Sequence, residues 1–477
     1  MQGLSLEGVE SFFDAVNDAF RTHAVPALVE YVSIKSLSPA FDPEWAANGE
    51  IERAMTHLAV WAETRPIPGI SVRASRIAGI TPALVVEIPA ANGGSGTVLM
   101  YGHMDKQPAT APWANGTDPF EAVVDGDAIF GRGVADDGYA LFAALTGVAE
   151  LHSRGLPSPR CVVLIEASEE SGSPDLDAHV EALAPWLGEV GLVVCLDSGG
   201  LDFERLWVTT SLRGNLVVTV DVEVLDYGVH SGSAGGVVPS SFRILRSLLE
   251  RVEDASSGDI LPSFLNAEIP EFHRRQAEAL DRELGDPLAH AFPAVEGLRL
   301  MGESGAERLL AQTWRPSLAF TGIEGVPDIP SGGNVLRART KGKISLRLPP
   351  SVDAAAAQES LVRLLSTDPP HGARVTVEAE APAQGWVAPE PGGWLAEALD
   401  QASRDGFGRP AGYCGEGGSI PFLATLGARF PGAQFVATGV LGPGSNAHGP
   451  DESLRIPAAV GVSVAVAHLT AAAATTL

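Results

Sequence analysis

Cysteine is scarce. Cys161, Cys195 and Cys414 are the only three in 477 residues, an odd and sparse set that excludes a disulfide scaffold and points to a reducing compartment. Cys161 and Cys195 lie in apolar runs, where free thiols read as buried core. Basic residues are also few. Lys plus Arg total 32 against 59 Asp plus Glu, a net charge of −27, and such a field repels the phosphates of nucleic acid and anionic lipid headgroups. Neither nucleic acid nor membrane is expected as a partner. The first residues lack the basic patch and apolar block of a secretory signal, so a cytoplasmic location is expected. The C-terminal IPAAVGVSVAVAHLTAAAATTL is long enough to raise the question of a membrane span. It is weakly hydrophobic and carries His468, so a packed terminal helix is expected instead.

What is present is an ordinary globular composition, 45% hydrophobic and 19% charged, in a chain long enough for two or three domains. From Thr97 to Leu212, TVLMYGH, CVVLIEAS and GLVVCLDSGG read as buried parallel-type strands. Between the first two, DDGYALFAALTGVAELHSRG has helical spacing and ends at Gly155, a C-terminal cap. This is the βαβ pattern of a doubly wound α/β sheet. After Trp207 the period changes to two. LRGNLVVTVDVEVLD and KGKISLRLPP alternate apolar with polar residues, as strands with one wet face do. The parallel pattern returns in GAQFVATGVLGPG. The expected architecture is therefore a mostly parallel α/β domain over 1–211 and 389–477, with a smaller α+β domain inserted at 212–388.

Ligands of open α/β sheets bind beyond the carboxyl ends of the strands. Reading those ends yields His103 and Asp105, Asp136 and Asp137, Glu169 and Glu170, and Asp197. The intervals 136 − 103 = 33, 170 − 136 = 34 and 197 − 170 = 27 are each near the roughly 30 residues of a βαβ unit. His448, after its own strand, returns to the same edge. Taken singly each residue is ordinary, a helix cap or a solvated charge. Together, so many carboxylates would repel one another unless cations held them. Imidazole and carboxylate donors without thiolate suit Zn²⁺ or a harder ion such as Mn²⁺ or Co²⁺. Two ions sharing a carboxylate would activate a bridging water, with the Glu169–Glu170 pair dividing metal binding from proton transfer.

The segments YGHMDKQP, DGDAIFGRGVADD, EASEESGS, SLRG, VHSGSAGG, SLRLPP, GEGGSIP and NAHGPDE resemble, in order and spacing, the co-catalytic zinc peptidases. That family includes carnosine dipeptidase, carboxypeptidase G, aminoacylase and acetylornithine deacetylase. The carnosine and cysteinylglycine dipeptidase branch is the most similar. The resemblance implies that Asp136 bridges two metal ions, with His103 and Asp197 on one and Glu170 and His448 on the other. Glu169 would be the general base, and Asp105 would orient the His103 imidazole. The inserted domain would be a lid that also forms a homodimer interface. From it His230 would stabilise the oxyanion in the partner's site, Arg347 would grip the substrate carboxylate, and Asn334, Gly418 and Ser419 would lie near substrate. The expected activity is dimetal-dependent hydrolysis of dipeptides or dipeptide-like amides with a free C-terminal carboxylate. The alternatives are an N-acyl-amino-acid amidohydrolase and a non-catalytic, metal-retaining scaffold. The chain departs from the family pattern at Gly138–Tyr139, where Lys-Gly is common, and at Gly228, Ala234 and Gly415.

Overall fold

The continuous apolar runs become strands buried on both faces. In the computed structural model, which describes residues 9–109, 112–114 and 118–477, the main sheet contains β1 (Ser71–Ser75), β2 (Ala83–Ile88), β3 (Thr97–His103), β4 (Arg160–Glu166), β5 (Leu192–Cys195) and β6 (Gln434–Ala437). Their order is β1-β2-β4-β3-β5-β6. The four strands from β4 to β6 are parallel, and β1 and β2 add an antiparallel edge. This is the mostly parallel α/β sheet expected from the sequence, and every residue of β3 is buried. Residues 1–8 of the N-terminal stretch lie outside the described residues.

By its contacts the chain forms two units. The first comprises Met1–Thr210, Ala388–Cys414 and Thr425–Leu477, and the second Ser211–Val387 with Gly415–Ala424. The GEGGSIP segment thus belongs by contact to the second unit, although it follows the inserted stretch in sequence. In the first unit, α1 (Ala140–Ser153) ends just before Gly155, whose φ of 65° lies in the left-handed region that favours glycine. Helices α2 (Gly393–Phe407) and α3 (Ile456–Thr476) pack together and α3 also packs on α1. Helix α3 is long and apolar enough to cross a membrane, yet 89% of its most apolar window is buried inside the unit. It is a core helix.

The second unit is built on an antiparallel sheet. Its strands Ser317–Glu324, Arg339–Leu348, Gly214–Glu223 and Arg374–Ala379 lie in that order. Alternation decides which face is buried: Leu216, Val218, Val220, Ile344, Leu346 and Leu348 enter the core, where Ile244, Leu248 and Leu361 of the covering helices meet them.

Candidate active site

The end of β3 and the loops that follow β3, β4, β5 and β6 in the first unit bring His103, Asp105, Glu169, Glu170, Asp197 and His448 together. Asp136 and Asp137, expected at a strand end, lie instead in the loop that enters α1. His103 is the last residue of β3 and pairs in register with Glu166 of β4, so the loops after these strands leave the sheet side by side. Asp136 lies between the two imidazoles. Its Oδ1 is 3.2 Å from His103 Nε2 and its Oδ2 is 2.9 Å from His448 Nε2. Glu170 Oε2 is 3.2 Å from the same His448 nitrogen, and Asp197 Oδ1 is 3.9 Å from His103 Nε2. Glu169 Oε2 stands 4.0 Å from His103 Nε2.

Two triads, His103–Asp136–Glu170 and His103–Asp137–Asp197, have ligand atoms within 4.8 Å of one another. The donor set fits divalent cations. Asp136 directs one oxygen to each imidazole, and the buried Asp137 Oδ1 has no hydrogen-bond partner within the protein, a costly state that a cation at this spot relieves.

Asp105 touches both His103 and the Glu169–Glu170 turn. Its carboxylate accepts the backbone N–H groups of Glu169 and Glu170, at 3.1 and 3.0 Å. His103 Nδ1 is nearer the backbone oxygen of Asp105, at 3.0 Å, than its carboxylate, at 3.5 Å. One residue therefore holds both the imidazole and the Glu169–Glu170 turn. Gln107 Nε2 donates to Glu170 Oε2 at 2.7 Å and fixes that carboxylate from the other side.

The electrostatics follow from crowding and burial. Burial drives the Glu169 carboxyl well above its usual range, and the charge of Asp197 adds to the shift. Asp137 is raised for the same two reasons. Asp136 goes the other way: burial opposes ionisation, but hydrogen bonds from His103 and His448 hold its pKa low. Burial also opposes protonation of the imidazoles. Hydrogen bonds to Asp105 and Asp136 outweigh it at His103, as those to Asp136 and Glu170 do at His448, and both are raised.

Three residues at this centre receive no individual role from the resemblance: Asp137, which the strand-end reading only groups with the other carboxylates, Gln107 and Glu452. Asp137 differs from Asp136 by one position, and only its oxygen positions separate the two. Glu452 lies in NAHGPDE, four residues after His448. It is fully buried, takes Arg132 Nη1 at 2.8 Å, and accepts the backbone N–H groups of Gly133, Ala135 and Asp136 at 3.0, 3.1 and 3.2 Å. The Gly138 departure also has a local cause. A Cβ there would lie 2.3 Å from Gly133 O and 2.3 Å from the Tyr31 ring. The Tyr139 hydroxyl, next in sequence, donates to the carbonyl of Leu196, beside Asp197.

The remaining predicted residues all lie in the second unit, in two groups. His230 pairs with Val335 across a two-residue ladder, and Ser231 N donates to Asn334 O at 3.0 Å, so His230 and Asn334 are neighbours. The His230 ring is exposed, and its Nδ1 accepts Gly232 N at 3.0 Å. In the other group, Arg347 Nη1 donates to Ser419 Oγ at 3.0 Å, and Ser419 Oγ donates to Arg213 O at 2.6 Å. A Cβ on Gly418 would meet nothing within 4 Å, whereas one on Gly417 would meet Gln312 O at 3.0 Å. Close approach therefore restricts Gly417, and Gly418 faces open space.

Comparison with known proteins places this site in a family. The profile of peptidase family M20/M25/M40 matches residues 99–473. A cysteinylglycine-S-conjugate dipeptidase from Corynebacterium striatum is 27% identical over 365 residues, 76% of this chain and 78% of that protein. The Homo sapiens Beta-Ala-His dipeptidase is 29% identical over 378 residues, 76% of this chain and 71% of its own length. The crystal structure of human carnosine dipeptidase 1 superposes with a TM-score of 0.77 at 24% identity, covering 98% of this chain and 99% of that one. With a family profile spanning most of its length and relatives in the dipeptidase branch, the chain belongs to peptidase family M20/M25/M40 and is a metallopeptidase.

Proposed function

We propose that this metallopeptidase is a dipeptidase that cleaves the amide bond of substrates with a free C-terminal carboxylate. The observation that carries the reading is Asp136 set between His103 and His448 with one oxygen toward each. His103, Asp197 and Asp136 would hold one ion, and His448, Glu170 and Asp136 a second, with Asp137 beside the first group. Nitrogen and oxygen donors without thiolate suit Zn²⁺, with Mn²⁺ or Co²⁺ as alternatives. Bound there, two such ions would supply Lewis-acid polarisation of the amide carbonyl and a lowered pKa for the attacking water.

Glu169 then takes the water proton and returns it to the leaving amine. Burial raises its pKa above the usual carboxylate range, the direction needed by a group that must also return the proton as an acid, and Asp105 keeps its backbone in place. His230 would donate to the developing oxyanion of a partner subunit, in a homodimer formed through the second unit. Arg347 and Ser419 would receive the substrate carboxylate, with Asn334 and Gly418 nearby. The named relatives act on dipeptides, which supports the substrate class, and a cytoplasmic location fits the scarcity of cysteine.

The test is a screen of dipeptides, each beside its N-acetylated form, with Zn²⁺, Mn²⁺ or Co²⁺ added separately. A dipeptidase cleaves the free-amine substrates. Turnover of the N-acyl forms alone replaces this reading with an amidohydrolase, and purification without bound metal or turnover replaces it with a scaffold. Glu169→Gln should keep its metal and lose at least ~10²-fold in kcat; unchanged turnover removes Glu169 from the mechanism.

A further inference from the structure

Two guanidinium groups lie near each other in the second unit. Arg347 stands opposite Asn215 in the antiparallel register, and Arg213 is two residues before Asn215, in the diagonal position. Arg213 is only 8% exposed and Arg347 is half-buried. Among the described residues, neither forms an ion pair with Asp or Glu.

Every bond of the Arg213 guanidinium goes to a neutral acceptor. Nε donates to Gly417 O at 3.1 Å. Nη1 is shared among Ser317 Oγ at 3.0 Å, Arg315 O at 3.2 Å and Ala311 O at 3.4 Å. The carbonyls of Ala311 and Arg315 lie at the C-terminal end of the helix Gly305–Thr313, where the helix dipole favours a cation. The backbone of Arg213 completes the cradle: its N–H donates to Gly418 O at 3.0 Å, and its carbonyl accepts the Ser419 hydroxyl. One residue therefore ties the glycine loop to the helix end and orients the hydroxyl that accepts from Arg347. Neutral acceptors orient a charge without cancelling it, so the pocket keeps the field of two cations. Burial, and secondarily the charge of Arg347, push the Arg213 guanidinium down to about 10, still protonated at neutral pH.

We propose that Arg213 is a positioning residue of the substrate-carboxylate site, locking the Gly417–Ser419 loop so that Ser419 and Arg347 present a preformed cationic fork to an α-carboxylate. This rests on the dipeptidase reading above and deepens it. Arg213 does not touch the substrate. Its effect reaches the substrate through loop order and through the uncompensated charge, and both act on the carboxylate end alone.

The experiment compares a dipeptide with its C-terminal amide on the metal-loaded wild type, Arg213→Met and Arg213→Lys. For Arg213→Met, KM for the free acid should rise at least ~10-fold, the scale of one lost charge-assisted contact. KM for the amide and kcat for both should stay within about twofold of wild type, since the binding lost is uniform along the reaction. Arg213→Lys keeps the charge without the planar fork and should fall between. It also serves if the Met variant fails to fold. An equal rise in KM for acid and amide makes Arg213 merely structural, and an unchanged KM for the acid removes it from the site; either overturns the proposal. A wild type that cleaves no dipeptide overturns the functional reading instead. The same variants are then compared by calorimetric binding of a free amino acid and its amide, where selective loss of the acid supports the proposal and equal loss or none overturns it.

Discussion

Replacing Glu452 by Gln removes one charge and almost no volume, and the structure assigns that change two consequences. Glu452 is fully buried and Arg132 is 1% exposed. The carboxylate accepts Arg132 Nη1 and three backbone N–H groups of the loop that carries Asp136, while Arg132 Nη2 donates to Gly449 O at 2.8 Å, beside His448. The pair thus joins the two loops on which the shared carboxylate and the second imidazole sit. Removing one partner of a buried ion pair costs about 3–5 kcal/mol because the other charge stays buried. Gln keeps one oxygen for the N–H donors, so the lower end, about 3 kcal/mol, is expected. Loosening groups that orient metal ligands lowers metal affinity about 10–100-fold. Urea unfolding of the metal-loaded protein measures the first effect and competition with a chelating dye the second. In a double-mutant cycle, Arg132→Met with Glu452→Gln should be less destabilised than the sum of the single variants by over about 1 kcal/mol. A loss under about 1 kcal/mol for Glu452→Gln, with additive single variants, would refute the reasoning.

Other outcomes follow from the same geometry. Asp105→Asn leaves one acceptor oxygen for the two N–H groups of Glu169 and Glu170, so kcat should fall about 10–100-fold with the fold intact by circular dichroism; unchanged kcat would show that the turn holds itself. Hydrogen bonds to carboxylates raise the pKa values of His103 and His448, so metal competes with protons for both rings. Metal affinity should therefore rise with pH, and calorimetry in buffers of different ionisation enthalpy should detect net proton release on loading; a buffer-independent heat contradicts this. Gly138→Ala should destabilise by at least ~2 kcal/mol, because its Cβ meets a backbone carbonyl that cannot retreat. A melting temperature within about 1 °C of wild type would show that the loop yields.

Much of the first unit was legible in the chain. Parallel strands buried on both faces need unbroken apolar runs, and TVLMYGH, CVVLIEAS and GLVVCLD display them without tertiary information. Because those strands share a direction, the polar residues that end them arrive at one edge, so His103, Glu169, Glu170 and Asp197 were readable as a set. His448 was legible for the same reason: β6 lies parallel to β5. The second unit announced itself through its period-two alternation, which a one-sided sheet requires.

Other features depended on coordinates. The resemblance assigns the bridging role to Asp136 rather than to its chemically identical neighbour Asp137, but only coordinates supply the physical reason, that Asp136 directs one oxygen to each imidazole. The GEGGSIP loop follows the inserted stretch in sequence but belongs to the second unit by contact. Arg213 looked like one residue of a motif, and its significance lies in bonds to the carbonyls of Ala311, Arg315 and Gly417, groups every residue possesses and no sequence distinguishes. Glu452 likewise binds backbone N–H groups with its carboxylate. Sequence by itself determined the period of each strand and hence which side chains reach the sheet edge, because pleat and burial act locally along the chain. Tertiary structure alone decided which charges are neutralised and which backbone groups they meet, because those contacts join segments hundreds of residues apart.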